Sequence, residues 1–286
     1  MSFELVEPDS LPAALALLDP EDPGVRAIAG GTALMLMLKS GFFRPRRLVS
    51  LRRIGDGMSG IRASAEGGLV LGAMARLRDI ERAPAVWQRA PVVVETLRVH
   101  SNIRVRNVAT IGGNLAHGDP HMDLPPVLIV LGAHLTATGP GGSRTIAAED
   151  LVSGYFETVL GNDELITEIA IPPQGARRAA YQKCTTRAAD DWPALGVAVS
   201  LGLEGAAIRE ARVAVGAVTD RPVRLRETEA LLRGGAVGES LWREAGEVAA
   251  REVEPVGDDR GSALYKRQLL RVAMRRALAQ AAGAAG

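Results

Sequence analysis

The sequence predicts an α+β protein in two parts, with a boundary near residue 175. Before that point, strand-like apolar segments alternate with helical ones. After it come consecutive strand-like segments separated by glycine turns, and then a helical region. The 286 residues have a hydrophobic fraction of 47%, which is enough to bury a substantial core.

The first part opens with a helix, a strand and a second helix. The stretch "DSLPAALALLD" predicts a helix capped by Asp9 or Ser10. "VRAIAGG" predicts a strand ending in a glycine turn, and "TALMLMLKSG" predicts a helix that ends at Gly41. The pair Gly30–Gly31 therefore lies at a strand–turn–helix junction.

The rest of the first part mixes both element types. "RRLVSL" and "GLVLGAM" are strand candidates, and the helices of "RLRDIERAP" and "APVVVETLRVHS" are broken at Pro84 and Pro91. A second pair, Gly112–Gly113, lies in loop-like sequence. "LPPVLIVLGAHLTATG" predicts a helix then a strand, and "DELITEIAIPP" predicts a strand ended by two prolines.

The second part begins after Pro173 with consecutive strands, and its pattern is helical from Leu225 onwards. Its last helix has an apolar face formed by Leu270, Ala273, Met274, Ala277 and Leu278. The basic residues Arg267, Arg271 and Arg275 mark another face of this helix. That basic face is either a docking surface for a partner or an ordinary solvated face.

Charge and cysteine content exclude several classes of protein. Lys plus Arg is 34 and Asp plus Glu is 33, a balance that does not suggest binding to nucleic acid or to a membrane surface. A single cysteine, Cys184, excludes an internal disulfide and a cysteine-ligated iron–sulfur cluster. No histidine neighbours it in sequence, so we interpret it as a strand residue rather than a nucleophile. With no signal peptide or membrane span predicted, we expect a cytoplasmic protein.

The two Gly-Gly pairs suggest anion binding. Glycine lets a ligand approach the backbone, and several N–H groups pointing into one concavity bind anions. Thr32 and Asn114 would add side-chain donors, and together the turns could hold a pyrophosphate from both sides. The alternative is two tight structural turns. Neither pair fits the dinucleotide-binding or P-loop glycine pattern.

These turns belong to longer stretches that carry a family resemblance. "RAIAGGTALMLMLK" and "RNVATIGGNLAHGDPHMDLPPVLIVLGA" resemble the flavoprotein (medium) subunit of the molybdenum hydroxylases, the carbon monoxide dehydrogenase and xanthine dehydrogenase family. The resemblance continues through "YFETVLGNDELITEIAIPP", "YQKCTTRAADDWPALGVAVSL" and "SALYKRQLLRVAMRRAL", and so covers essentially the whole chain. The motif "LAHGDP" most resembles the carbon monoxide dehydrogenase branch of the family.

The resemblance implies a fold and its boundaries. Residues 1–175 would form an FAD-binding domain of the p-cresol methylhydroxylase and vanillyl-alcohol oxidase type. Its small lobe would span about 1–55 and its larger lobe about 56–175, with FAD between them. Residues 176–286 would form a C-terminal flavoprotein domain, a three-stranded antiparallel sheet with helices.

The resemblance also implies the residues that bind FAD. The first loop would hold the pyrophosphate and the second loop would meet it from the other lobe; Leu165 or Ile166 would pack near the isoalloxazine ring. The loop residues are Ile28, Ala29, Gly30, Gly31, Thr32, Ala33 and Leu34 in the first, and Thr110, Ile111, Gly112, Gly113 and Asn114 in the second. Ala33 lacks the polar side chain that many relatives carry nearby.

Two charged residues have a cofactor-binding interpretation from the resemblance and a structural alternative. Asp123 matches a family aspartate that hydrogen-bonds the ribityl chain, although an Asp here could simply cap the following helix. Lys183 matches a family lysine near the polar edge of the flavin, although it could be a solvated strand lysine. Arg187 and Asp190 fall near the same entrance, where an ion pair would be structural only.

We predict no metal site and no catalytic residue in this chain. His117, Asp119, His121 and Asp123 alternate in a way that invites a metal interpretation. Prolines bound this loop, however, and the family does not bind metal there.

The resemblance implies a function that needs other chains. FAD would be bound non-covalently, and it would take electrons from a small iron–sulfur subunit and pass them to an external acceptor. A large molybdopterin subunit would oxidise the substrate, and the complex would be a dimer of heterotrimers. The alternatives are a standalone flavin reductase or oxidase and a scaffold that has lost its flavin. The sequence identifies neither the substrate nor the acceptor.

Overall fold

The computed structural model describes residues 3–55 and 57–283. The N-terminal lobe is a small parallel sheet with two helices. In chain order its elements are β1 (Glu4–Val6), α1 (Leu11–Leu15), β2 (Val25–Ile28), α2 (Leu34–Ser40) and β3 (Arg47–Ser50). The strand order β1-β3-β2 leaves β2 at one edge, so the glycine turn that follows β2 lies open on one side. The first helix is shorter than the sequence predicts, because the chain tightens into i→i−3 turns at Leu17 and Leu18.

The larger lobe combines an antiparallel sheet with six short helices. Its elements are β4 (Ile61–Ala63), β5 (Leu69–Gly72), α3 (Leu77–Arg82), α4 (Pro84–Arg89), α5 (Pro91–Val99), α6 (Ile103–Arg106), α7 (Ile111–Ala116), α8 (Leu124–Leu131), β6 (His134–Gly139), β7 (Gly142–Ala147), β8 (Val152–Gly154), β9 (Glu157–Thr158) and β10 (Leu165–Ile171). The sheet order is β4-β5-β10-β6-β7, and β8 and β9 form a separate hairpin.

The second Gly-Gly pair lies in a helix, and the prediction of a loop there was wrong. Gly112 and Gly113 occupy the first turn of α7, where the Thr110 hydroxyl accepts from the Gly113 N–H and caps the helix. A Cβ at Gly112 would lie 2.6 Å from the Cβ of Ala73. Close packing against the segment that contains Ala73 therefore requires glycine here, and this requirement overrides the low helix propensity of glycine.

The second part is an antiparallel sheet covered by helices. Its elements are β11 (Arg178–Cys184), β12 (Leu195–Glu204), β13 (Ala207–Gly216), β14 (Val223–Arg224), α9 (Arg226–Leu232), α10 (Glu239–Glu252) and α11 (Ala263–Ala282). The sheet has four strands in chain order, so the expected three-stranded sheet gains a short edge strand. Two residues after a proline are too short to show alternation, which is why the sequence does not reveal β14.

The helix α8 joins the two parts. All eight of its residues are buried, as expected of a helix that is apolar all round. One side packs within the larger lobe, and the other packs on β12 and β13. Gly216 brings the backbone of β13 against the Pro126 ring, with only 3.3 Å between that ring and a Cβ built at Gly216.

The final helix has the predicted apolar face, and the arginines of its basic face form ion pairs with neighbouring glutamates. Leu270, Ala273, Met274, Ala277 and Leu278 are all buried. Arg267 donates to the carbonyl of Ala250 and pairs with Glu254, and the other two arginines pair with Glu247 and Glu239. These ion pairs join α11 to α10 and its C-terminal end, and the arginine side chains keep exposed fractions of 27% to 44%. Docking of a partner on this face stays a prediction. Within the described residues, no helix is long and apolar enough to cross a membrane.

Candidate functional site

A cavity of about 650 Å³ opens where the N-terminal lobe, the larger lobe and the second part of the chain meet. The turn after β2 forms one wall, and the segment from His100 to Asp123 forms another. The β8–β9 hairpin and the start of β10 close a third side. The second part contributes Lys183 at the end of β11 and the residues Asp190–Trp192. The cavity is large enough for a ligand of dinucleotide size.

The first glycine loop exposes a row of backbone donors. Among the described residues, the N–H groups of Ala29 to Ala33 donate to no main-chain acceptor, although all these residues line the cavity. Gly31 has a φ of 71°, which turns the chain sharply at this point. Unpaired amides in a glycine turn form a concavity suited to a negatively charged group.

The second glycine loop plays a different part from the first. The N–H groups of Ile111 and Gly112 donate to Ala75 and Ala73, so they are not free for a ligand. The side chain of Ile111 is fully buried in the core and does not line the cavity. The other four predicted residues of this loop line it. The expectation that both turns offer free backbone amides is therefore wrong.

The two loops support one another through close approach. A Cβ at Gly30 would lie 2.2 Å from the carbonyl oxygen of Val108, just before the second loop. A Cβ at Gly113 would lie 3.5 Å from the Cβ of Ala29. Glycine at position 30 thus lets the small lobe pack directly on the larger one.

Asp123 is the centre of a buried network. Its side chain is 3% exposed, and it accepts from Tyr181 at 2.7 Å and from Lys183 at 3.1 Å. His100 Nδ1 lies 2.7 Å from the same carboxylate. The Asp123 side chain makes no helix-capping hydrogen bond, so the alternative in which it serves as a cap for α8 does not apply. The network joins α5, α8 and β11 at the cavity wall.

Lys183 is an interior residue of this network. Its side chain is only 5% exposed, which rules out a solvated strand lysine. Its ammonium donates to the carbonyl of Val99 at 2.8 Å as well as to Asp123. Burial, together with the negative charge of Asp123, raises the pKa of Tyr181 well above its usual value, so its hydroxyl stays a donor.

The side chain of Asn114 lies between Met122 and His100 at the cavity wall. Its amide nitrogen lies 3.1 Å from Met122 Sδ and 3.4 Å from His100 Nε2. Since an ionised carboxylate only accepts, His100 donates to Asp123 from Nδ1. The amide nitrogen of Asn114 is thus occupied, and its Oδ1 is buried without a partner.

The alternating acidic and histidine residues form ion pairs. His121 has Nδ1 at 2.9 Å from Asp119 and Nε2 at 3.0 Å from Asp258. Asp258 also pairs with the buried Lys266. Burial alone would raise the pKa of Asp258, but hydrogen bonds from Lys266 and His121 outweigh it and hold that pKa at about 2. His117 instead packs edge-on against the Phe156 ring.

The remaining predicted residues divide between the cavity and the surface. Leu165 and Ile166 are buried at the start of β10 and line the cavity. Asp190 lines it as well, whereas Arg187 is exposed. Sequence reasoning missed His100 and Tyr181. Tyr181 lies two residues before Lys183 and hence on the same face of β11, a signal that could have found it; His100 carries no such signal.

Comparison with known proteins decides the family. Residues 1–174 match the model of the FAD binding domain in molybdopterin dehydrogenase, and residues 179–281 match the CO dehydrogenase flavoprotein C-terminal domain. The chain belongs to this flavoprotein family. FAD is therefore the cofactor of this flavoprotein subunit, and the free amides of the first loop fit a pyrophosphate group.

Individual relatives agree with this assignment. The carbon monoxide dehydrogenase medium chain of Hydrogenophaga pseudoflava is 34% identical to the flavoprotein subunit over 278 residues, 96% of each chain. The glyceraldehyde dehydrogenase medium chain of Sulfolobus acidocaldarius is 31% identical and covers 98% of each.

Solved structures confirm the fold that the resemblance implied. Carbon monoxide dehydrogenase from Hydrogenophaga pseudoflava, which lacks the Mo-pyranopterin moiety of its cofactor, superposes with a TM-score of 0.95 at 33% identity. That match covers 100% of the flavoprotein subunit and 99% of the other chain. Quinoline 2-oxidoreductase from Pseudomonas putida 86 gives a TM-score of 0.93 at 30% identity, covering 99% and 98%.

Proposed function

We propose that this flavoprotein subunit transfers electrons within a molybdenum hydroxylase and oxidises no substrate itself. In the proposal, electrons arrive from iron–sulfur clusters of a partner subunit and leave to an external acceptor. The observation that carries it is the row of amides from Ala29 to Ala33, which have no main-chain acceptor and belong to residues that all line a cavity of about 650 Å³. FAD, when bound, would supply the redox chemistry, and the protein would bind, orient and tune it.

Each wall of the cavity has a separate task in this proposal. The amides of the first loop bind the pyrophosphate, and the side chain of Thr32 stands beside them. Leu165 and Ile166 exclude water from a ring of the cofactor. Asp123 and Lys183 supply a buried carboxylate and a buried ammonium for polar groups of the cofactor. No residue is proposed to tether the flavin covalently.

The division of the chain and its assembly belong to the same proposal. We take residues 1–175 as the FAD-binding domain and 176–286 as the C-terminal domain. The relatives are named medium chains, which supports companions of smaller and larger size. We propose a small iron–sulfur subunit and a large molybdopterin subunit, arranged as a dimer of heterotrimers. The single cysteine fits a reduced, cytoplasmic setting.

A spectrum and a reduction assay test this function. The purified chain, incubated with FAD and freed of excess, should show a flavin spectrum at one FAD per chain, and acid should release the FAD intact. In the complex co-purified with its partner subunits, the flavin should be reduced when substrate is added. The isolated FAD-loaded chain should not respond to the same substrate. Reduction of the isolated chain at turnover rates would instead favour a standalone enzyme, and a colourless chain would favour the scaffold.

A further inference from the structure

The N-terminal lobe is joined to the rest of the molecule by very few directional contacts. Its sheet is separate from the sheet of the larger lobe. Among the described residues, only two hydrogen bonds connect residues 3–50 with residues 57–283, and no ion pair does. Both hydrogen bonds are made by the side chain of Asn162, in the loop between β9 and β10.

The remaining contact between the two lobes is packing. Ala14, Val25 and Val49 of the N-terminal lobe belong to the same apolar core as residues of the larger lobe. Gly30 lies close to Val108. Apolar packing is non-directional, so it keeps the lobes together but does not fix their relative angle as a hydrogen bond does. The position of the N-terminal lobe therefore depends strongly on Asn162.

The partners of Asn162 determine the orientation of its amide. Oδ1 accepts from Nη1 of Arg26 at 3.2 Å, and Nδ2 donates to the carbonyl of Pro20 at 3.0 Å. A guanidinium can only donate and a carbonyl can only accept, so a flipped amide would lose both bonds. Arg26 lies on β2, the strand that leads into the first glycine loop. The contact thus reaches the element that carries the unpaired amides.

On the larger lobe, an ion pair orders the loop that carries Asn162. Arg144 donates to both carboxylate oxygens of Glu164 and to the carbonyl of Val159, each at 2.7 Å. The same carboxylate accepts from the N–H of Gly161 at 2.8 Å. Bidentate pairing of this kind is the strong form of the contact between arginine and a carboxylate. The amide of Asn162 is therefore presented from a fixed support.

On the N-terminal lobe, the segment that receives Asn162 is ordered in the same way. Arg46 donates to Asp22 at 2.9 and 2.7 Å, and Asp22 accepts from the N–H of Gly24 at 2.7 Å. These bonds order the turn between Pro20 and the start of β2. Two ordered segments are thus joined by one side chain.

This junction lies at the edge of the cavity. Arg26, Gly161 and Asn162 all line it. The first glycine loop belongs to the N-terminal lobe, whereas Asp123 lies on the larger lobe at another wall of the same cavity. A ligand that contacts both lobes binds only while they keep the right spacing, because its contacts must be made at the same time. Separation of the lobes would open the cavity for entry and exit.

We propose that Asn162, bonded to Arg26 and Pro20, is a clasp that positions the N-terminal lobe and controls the exchange of FAD. With the clasp closed, the first glycine loop is held at a fixed distance from the other walls of the cavity. FAD enters and leaves while the two hydrogen bonds of Asn162 are broken. Asn162 is a positioning residue, and the proposal requires no contact between it and the cofactor. The clasp rests on the proposed FAD binding, but one of its tests is independent of FAD.

The rates of FAD binding separate a clasp from a direct contact. Stopped-flow flavin fluorescence gives the association and dissociation rate constants of wild type and Asn162→Ala. Loss of the clasp raises the open population, so both rate constants should rise about tenfold, a factor that two exposed hydrogen bonds can supply. FAD affinity should change less than either rate constant. A rise of the dissociation rate constant alone would show that Asn162 binds FAD directly, and it would overturn the clasp, as would unchanged rates.

Gln280→Ala is the matched control. Gln280 accepts from Nε2 of Gln182 at 2.6 Å on the exposed surface of the second part. Both variants remove a side-chain amide that links two elements, but only the amide of Asn162 links two lobes. Gln280→Ala should leave both rate constants at their wild-type values. An equal rise in this variant would mean that the rates report a general loosening of the fold, and the clasp would be overturned.

A distance measurement tests the clasp without the cofactor. Cys184→Ser removes the single native thiol. Spin labels at Lys39→Cys and Glu95→Cys, exposed on α2 and α5, then report the distance between the lobes. In the apo chain, Asn162→Ala should broaden the distance distribution measured by double electron–electron resonance, and saturating FAD should narrow it again. Identical distributions in apo wild type and apo Asn162→Ala would overturn the clasp.

Arg26→Met supplies a second variant for the same measurement. It removes one of the two bonds of the clasp, so the distribution should broaden less than in Asn162→Ala. Combining the two changes should add little to Asn162→Ala alone. Additive broadening would show that Arg26 acts separately from Asn162. A wild-type chain that binds no FAD would overturn the proposed function, whereas the distances in the apo chain would still decide whether Asn162 fixes the lobes.

Discussion

The ammonium of Lys266 lies 2.7 Å from a carboxylate oxygen of Asp258, and its side chain is fully buried. It also donates to the carbonyl of Ala217 at 2.8 Å. The same oxygen of Asp258 faces His121 at 3.0 Å. One carboxylate therefore ties the final helix to the wall of the cavity, and it does so across the two parts of the molecule.

Replacing Lys266 should destabilise the fold. Lys266→Met keeps the length of the side chain but leaves the Ala217 carbonyl, and one side of Asp258, without a donor. We expect the free energy of unfolding to fall by about 1–3 kcal/mol, the cost of leaving buried polar groups unsatisfied. Urea denaturation measures it. Lys39→Met, at an exposed position on α2, should change the stability by less than about 0.5 kcal/mol.

Asp258 should make stability depend on pH at the acidic end. Its pKa in the folded state is about 2, below the ordinary value of 3.8. A depressed carboxyl pKa contributes stability that is fully present above the unfolded value and is lost as pH falls through the folded value. The stability difference between wild type and Asp258→Asn should therefore shrink steadily as pH falls from about 5 towards 2. A difference that is the same at pH 2.5 and pH 6 would contradict the assignment.

The first glycine loop should be sensitive to a single methyl group. Gly31→Ala forces an L-residue to a φ of 71° next to the unpaired amides. The strain is about 1–2 kcal/mol, and its relief by rotating the loop would turn those amides away from the cofactor. FAD retention after gel filtration should be strongly reduced.

Gly41→Ala is the control for that variant. Gly41 has a similar φ of 76° at the end of α2, with open space where a Cβ would stand. The two variants should lose similar stability, and only Gly31→Ala should lose FAD. Equal FAD occupancy in both would mean that the loop is a structural turn only.

The local sequence predicted secondary-structure elements well where an element is long enough to repeat its hydrophobic pattern several times. The 20 residues of α11 show their apolar face directly. The helix α7 could not be predicted, because its glycines are placed by the tight approach to Ala73 and not by helix propensity. The two-residue β14 is likewise defined only by its partner strand.

The site was predictable only where a motif carries it. Asp123 and Lys183 follow from the family resemblance, but their ion pair with each other does not and is seen only in the structure. His100 joins them through a contact 23 residues away in sequence, and His121 meets Asp258 across 137 residues. The direction in which the Asn114 amide faces depends on the proton position in His100. Such features follow from packing, and no periodicity of the chain encodes them.

Variants of the ion pair between Asp123 and Lys183 allow its effect on stability to be measured separately from its effect on FAD binding. Asp123→Asn leaves a buried ammonium without its counter-charge, and Lys183→Met leaves the buried carboxylate without its own. Each single change should lower the free energy of unfolding of the apo chain by about 3–5 kcal/mol. The double variant removes both charges, so its loss of stability should be well below the sum of the two single losses.

FAD affinity should stay low in the double variant, because the carboxylate and ammonium proposed to face the cofactor are both gone. Urea denaturation and FAD titration of the same four proteins measure the two effects. Recovery of FAD affinity along with stability would show that the pair serves the fold alone.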